Sequence, residues 1–234
     1  MNESISLYEA IKNKSIEQVK LAAEKADLNE RDKFGRTALH YAITQKSNGE
    51  MIETLLKLGA DPEIRDKLHE TALSKAIKFQ NKEAVELLLN ELHSLDHPKG
   101  LRHTYWFQAR HYPSLADTML ATKGSVRLTL NEAEKNLLDE ILFSDSEKQE
   151  QKWRELCTPV LLHAWVTNFN WDDDLEPMHG VIEHPACLEI TAIEMYDLAD
   201  GDYWRSLDEV QEEYQDSYRS LVDKIAARFP SVLE

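Results

Sequence analysis

The side chains best suited to chemistry gather toward the C-terminus. His184 and Cys187 stand close together, with Cys157, His163 and His179 upstream, and imidazole and thiolate are ligand types that zinc prefers. A structural zinc site needs four such ligands, usually as two closely spaced pairs. No second pair completes the set, so buried structural roles are the preferred reading and no metal is expected. Asp172, Asp173 and Asp174 could be read as a cation loop, yet they lack the alternating ligands of a calcium site. Capping the following helix accounts for them. Glu183 and His184 could act as an acid and base, but no serine or cysteine sits in an elbow motif to use them. Seven glycines hold no phosphate-binding loop or dinucleotide fingerprint, and the chain has no metalloprotease helix. No catalytic residue and no cofactor is therefore expected. The alternative is a hydrolase or metal enzyme centred on His163, Asp172, Glu183, His184 and Cys187.

The elements that would position these groups follow from composition and periodicity. The 234 residues are 42% hydrophobic and 30% charged, with seven prolines, which implies a globular chain of helices joined by short turns. No apolar run approaches the length needed to cross a bilayer, and the first ten residues lack the pattern of a signal peptide. Two cysteines are too few for a disulfide framework. A cytoplasmic protein without membrane association is expected. Charge is unevenly spread: residues 1–92 carry 14 Lys and Arg against 16 Asp and Glu, whereas residues 129–234 carry 8 against 25. The acidic segment should repel phosphate backbones and attract basic surfaces, although acidity also serves solubility alone.

An internal period organises the N-terminal part. Asp32, Thr37, Ala38, Leu39 and Ala42 recur 34 positions later as Asp66, Thr71, Ala72, Leu73 and Ala76; Ile52 and Leu55 recur 33 later as Val85 and Leu88. A weaker copy lies in Leu7, Ala10, Ile11, Val19 and Leu21, making about two and a half units. Thr37 can cap a helix, Ala38 and Ala42 allow close approach, and Gly59 followed by Pro62 ends the pair. The stretches Asn29–Ala42 and Gly59–Pro62 closely resemble the ankyrin signature, with Ala38 where proline is commonest. The resemblance covers residues 3–92. It implies stacked helix pairs, and partners held at the finger turns and inner helices: here Arg31, Lys33, Phe34 and Arg36, then Arg65, Lys67, Leu68 and His69. Phe34 and Leu68 at the tips are either anchors for a partner or covered by the neighbouring finger. It also implies that His40 bridges turns. His69 replaces Gly35 where positive φ is favoured, so the second turn is either strained or reshaped.

Residues 93–149 read as a connector with a capping helix. Arg102, His103, Tyr105, Trp106, Arg110, His111 and Tyr112 interleave base and ring, which can bind single strands, but the acidic neighbour disfavours nucleic acid. Tyr105, Trp106 and Phe107 are expected to cover the open end of the stack. Thr129 and Glu132 form a candidate capping box, and the polar stretch 144–151 is the expected joint. In residues 150–234, His163–Asp173, Val181–Cys187, Thr191–Ala192 and Ala199–Asp202 resemble a small bacterial domain family of unknown function, DUF4274, over about residues 158–204. That likeness implies a helical fold and a bacterial setting, and carries no activity. Trp171, Asp172, Asp173 and His184 form its candidate surface. Gly201 is read as a helix stop, and Ser206 or Asp208 as the start of a last helix with Val210, Tyr214, Leu221 and Ile225 on an apolar stripe. The expected molecule is all-α, with an ankyrin stack, a packed connector and a C-terminal helical bundle. Its expected work is protein binding, sharpened to an immunity-type or regulatory factor for a basic partner such as a toxic nuclease.

Overall fold

A computed structural model describes residues 5–144, 152–207 and 212–233. The described residues form helices and turns with no strand, and the chain divides into two compact units, residues 1–121 and 122–234. The first unit therefore takes in residues 93–121 along with the repeats.

Its helices come in pairs: α1 (Leu7–Lys12) with α2 (Ile16–Ala23), α3 (Ala38–Thr44) with α4 (Gly49–Lys57), and α5 (Ala72–Lys78) with α6 (Lys82–Leu89). Helices of this length are marginal alone in water, so stacking must sustain them. Each begins where a short polar side chain can take an orphan N–H. Ser6, Ser15, Asn48, Thr71 and Asn81 accept from Glu9, Gln18, Met51, Ser74 and Ala84. The inner helices α1, α3 and α5 lie side by side in that order. Ala38, Ala42, Leu39 and Ile43 of α3 and Ala72 and Ala76 of α5 are buried, as are Ile52 and Leu55 of the outer helix α4, while Leu56 is half-buried. Gly59 has φ +96°, and Ala60 N–H donates to the Leu55 carbonyl at 3.0 Å, a left-handed helix stop.

The two finger turns have one backbone geometry and different residues at its critical point. Gly35 has φ +78° and His69 has φ +61°, and each N–H donates to the aspartate carbonyl three residues before, at 2.8 and 3.0 Å. The second turn is thus strained and keeps its type. Glycine is required in the first, because a Cβ on Gly35 would lie 2.8 Å from the Lys67 backbone nitrogen. At the exposed second position the cost is conformational alone. His69→Gly is expected to stabilise the first unit by about 1 kcal/mol, read as a higher urea midpoint at unchanged slope.

Residues 97–116 repeat the same plan in degenerate form. Lys99 N–H donates to His97 Nδ1 as Phe34 N–H does to Asp32, and Gly100 has φ +95° with its N–H on the His97 carbonyl. After two extra residues Thr104 caps α7 (Tyr105–Gln108), and Ala109 is buried where Ala42 and Ala76 are. Helix α8 (Pro113–Ala116) follows. Helix α7 packs on α5, the Tyr105 hydroxyl lies 3.1 Å from Thr71 Oγ1, and Trp106 and Phe107 are buried. The segment read as a connector covers the stack through Trp106 and Phe107 as expected, and does so as a terminal unit, as solenoid ends require.

The second unit holds α9 (Glu132–Leu142), α10 (Pro159–Asn168), α11 (Glu176–Glu183), α12 (Glu189–Leu198), α13 (Gly201–Ser206) and α14 (Glu213–Arg228). Helix α12 is buried on all sides from Ile190 to Tyr196 and packs against α10, α13 and α14, forming the centre of the unit. Three local expectations are corrected. The capping box is Asn131 with Glu134, which exchange bonds of 2.8 and 2.9 Å; both candidates have glutamate three residues on, and asparagine caps better than threonine. The left-handed residue after α12 is Asp200, with φ +54°. Gly201 instead starts α13 and lets the Tyr196 ring approach to where a Cβ would be 2.5 Å away. Ser206 therefore ends a helix and opens none; Asp208, Val210 and part of the 144–151 joint lie outside the described residues.

Candidate functional site

The first finger is built on Asp32. Its carboxylate accepts the N–H groups of Phe34 and Arg36 at 2.8 and 2.9 Å and pairs with the Arg36 guanidinium at 2.7 Å. Burial alone would raise the Asp32 pKa, but these donors outweigh it and hold the carboxyl below its ordinary range. Phe34 is left 52% exposed at the tip, with Lys33 Nζ 5.0 Å and the Arg36 guanidinium carbon 4.8 Å from its ring centre. Its carbonyl accepts the Lys67 N–H of the next finger at 3.1 Å. Arg31 is exposed.

The second finger repeats this on Asp66, which accepts from Leu68 and Glu70 N–H at 2.8 and 3.1 Å. Leu68 is 69% exposed; Lys67 and His69 are exposed, and Arg65 donates to the His69 carbonyl at 2.9 Å. The cation at its base differs. Buried Lys75 reaches both Asp66 and Glu70 at 2.6 Å, and Glu70 also meets Lys78 at 3.1 Å. Phe34 and Leu68 thus stand at neighbouring tips, each largely open, with Arg31, Lys33, Arg36, Arg65 and Lys67 around them.

His40 joins the two turns. Thr37 N–H donates to Nδ1 at 3.2 Å, so the ring proton sits on Nε2 and is given to the Glu70 carbonyl at 3.0 Å. Burial holds its pKa below the usual imidazole value, which suits a neutral ring used for one acceptor and one donor. Beside the second finger, Arg65, His69, Glu70, Ser74, Lys78 and His111 line part of a groove of about 410 Å³ along α5 and the terminal unit.

In the second unit the predicted surface comes together in part. Asp172 and Asp173 are exposed on an open cleft of about 640 Å³ that Asp174, Leu175, Trp204, Tyr214, Ser217 and Tyr218 complete. Trp171 is half-buried beside it, its carbonyl accepting the Tyr218 hydroxyl and its ring edge-on to Phe169 at 5.8 Å. His184 does not line this cleft: α11 stands between, a span of about 12 Å, and its Nδ1 accepts Ala186 N–H at 3.0 Å. Tyr214, placed on an apolar stripe from periodicity, is 55% exposed. Trp204 and Tyr218 are missed by the sequence reading, as is the exposure of Tyr214, and the acidic surroundings of Tyr203–Trp204 are the one available signal.

Glu183 and Cys187 have surroundings that oppose a catalytic role. Glu183 bonds Lys224 Nζ at 2.6 Å, which keeps its carboxyl below the ordinary range, the reverse of what a general acid needs. Burial pushes the Cys187 thiol up to about 11, away from the reactive thiolate. His163 is buried on α10 and Cys157 is exposed. Among the described residues no group of three His, Cys, Asp or Glu is gathered for a metal ion, and no helix is long and apolar enough to cross a membrane.

Comparison with known proteins agrees with the two-part reading. Residues 7–99 match the family described as ankyrin repeats in three copies, and residues 157–229 match the domain of unknown function DUF4274. Two ankyrin repeat proteins of Acanthamoeba polyphaga mimivirus are 48% identical over 61 residues and 40% identical over 65, or 26% and 28% of this chain. An ankyrin repeat protein of Rickettsia bellii is 39% identical over 69 residues, 30% of this chain. The matched stretches span only 8%, 16% and 40% of those three relatives.

Proposed function

We propose that this chain is a protein-interaction module in which the two ankyrin fingers contact a partner protein through Phe34 and Leu68. The observation that carries this is the pair of apolar tips left open on turns that Asp32 and Asp66 hold rigid. Exposed apolar side chains fixed by their backbone are what interface anchors need. The ankyrin match over residues 7–99 and the ankyrin-named relatives support the same reading.

The sharper form is an immunity-type or regulatory binder of a basic partner in a bacterial cytoplasm. Its support is charge: residues 122–234 carry 10 Lys and Arg against 25 Asp and Glu, a net of −15, whereas residues 1–121 are nearly neutral at −1. Opposite charge speeds association and sets specificity more than affinity. Co-purification of the tagged chain from its native host, at low and then high salt, tests both forms. A partner is expected with the native chain and lost with Phe34→Ala and Leu68→Ala combined, at an unchanged unfolding midpoint. A partner retained by that double variant would rule out the fingers; an acidic partner, or none at either salt, would remove the sharper form.

A further inference from the structure

The cleft of the second unit is divided by chemistry. Asp172, Asp173 and Asp174 stand in the loop before α11, while Trp204 of α13 and Tyr214 and Tyr218 of α14 supply an aromatic wall. The wall is braced. Trp204 and Tyr218 stack at 5.0 Å and 20°, Tyr203 meets Trp204 edge-on at 4.9 Å, and Arg219 donates to the carbonyls of Trp204 and Leu207 at 2.6 and 2.9 Å. Tyr214 is largely open to solvent.

The three carboxylates have no cation of their own. Among the described residues of this unit, Arg154, Arg205, Arg219 and Lys224 pair with Glu176, Asp223, Asp223 and Glu183, and none pairs with Asp172, Asp173 or Asp174. An apolar occupant would strip water from these charges without replacing it, and an anion would meet a unit of net charge −15. A planar cation satisfies both walls, since guanidinium stacks on aromatic faces and forks onto carboxylates. We infer that this cleft receives an arginine side chain of a basic protein partner. The inference rests on the reading above that a basic protein is the partner, and adds where and by which residue it is held.

Titration calorimetry of the full chain with blocked tetra-arginine, tetra-lysine and tetra-glutamate peptides, at about 50 and 200 mM NaCl, tests it. The arginine peptide is expected to bind about threefold or more tightly than the lysine peptide, and the glutamate peptide not at all. Asp172→Asn with Asp173→Asn, and separately Tyr214→Ala, should each weaken arginine binding about fivefold or more. These side chains are exposed, so the fold is kept, as an unchanged unfolding midpoint would verify. Glu132→Gln with Glu155→Gln removes the same charge outside the cleft and should change affinity less than about twofold. Equal losses in this control pair, indifference to Tyr214→Ala, or absence of peptide binding would each overturn the cleft. A co-purified basic partner that still binds the cleft variants would overturn it while leaving the wider reading intact.

Discussion

Replacing Lys75 by methionine is expected to destabilise the first unit by about 3–5 kcal/mol. Lys75 is 6% exposed and reaches two carboxylates at 2.6 Å, one of them the equally buried Asp66. Removing one member of a buried ion cluster costs far more than the cluster contributes, because the remaining charge loses its partner away from water. Methionine keeps the apolar stem and leaves Asp66 exposed to that penalty. Asp66→Asn is the informative companion, since the amide oxygen can still accept the Leu68 and Glu70 N–H groups that shape the finger. The double variant should recover about 1–3 kcal/mol relative to additivity.

Acidity supplies an independent check on that cluster. Burial works to raise the pKa of Asp66 and Glu70, but bonds from Lys75, reinforced by finger N–H groups and by Lys78, outweigh it and hold both low. A folded-state pKa below the unfolded one stabilises above about pH 4, and the gain disappears as pH falls through the folded values. In Lys75→Met the sign reverses at Asp66, whose carboxyl is buried without a cation and rises above its unfolded value. Protonation then relieves the variant while it weakens the native protein. The stability gap between them should narrow as pH is lowered from about 7 to about 4. A gap below about 1 kcal/mol, or one flat with pH, would mean that solvent already screens the cluster.

What could be read in advance tracks how local each determinant is. The repeat was legible because Asp32 and Asp66 bond their own turns, and because Ala38 and Ala72 must be small wherever inner helices touch. The terminal unit was concealed: His97 replaces the turn aspartate while making the same bond to the N–H two residues on, and the two extra residues before Thr104 leave His97 only 31 positions after Asp66, outside the period of 33 or 34. Gly100 and Ala109 were its surviving marks. The cleft was half legible. Asp172 and Asp173 share one loop, but Trp204, Tyr214 and Tyr218 reach it only through the packing of α13 and α14. Periodicity put Tyr214 among buried residues because spacing alone does not separate the wet first turn of a helix from its dry middle. His184 failed for the opposite reason: near in sequence to the acidic loop, it is carried away by the rise of α11.

Trp106 decides whether residues 97–116 belong to the stack. Trp106→Ala is expected to cost about 3–5 kcal/mol, although the residue lies beyond the segment 7–99 that matches ankyrin repeats. The indole is fully buried on the helix that packs against α5, so truncation opens a void beside the inner row Ala72, Leu73, Ala76 and Ile77. A solenoid transmits such damage along its length, because each unit is stabilised chiefly by its neighbour. Amide exchange in α5 should therefore accelerate most, and α3 next. Trp106→Phe separates volume from chemistry. The indole N–H is buried with no partner among the described residues, so phenylalanine removes an unsatisfied donor while keeping most of the ring. Its cost should stay below about 1.5 kcal/mol. If alanine were tolerated as well as phenylalanine, α7 would be a passenger on the stack, and the open face of α5 would need another cover.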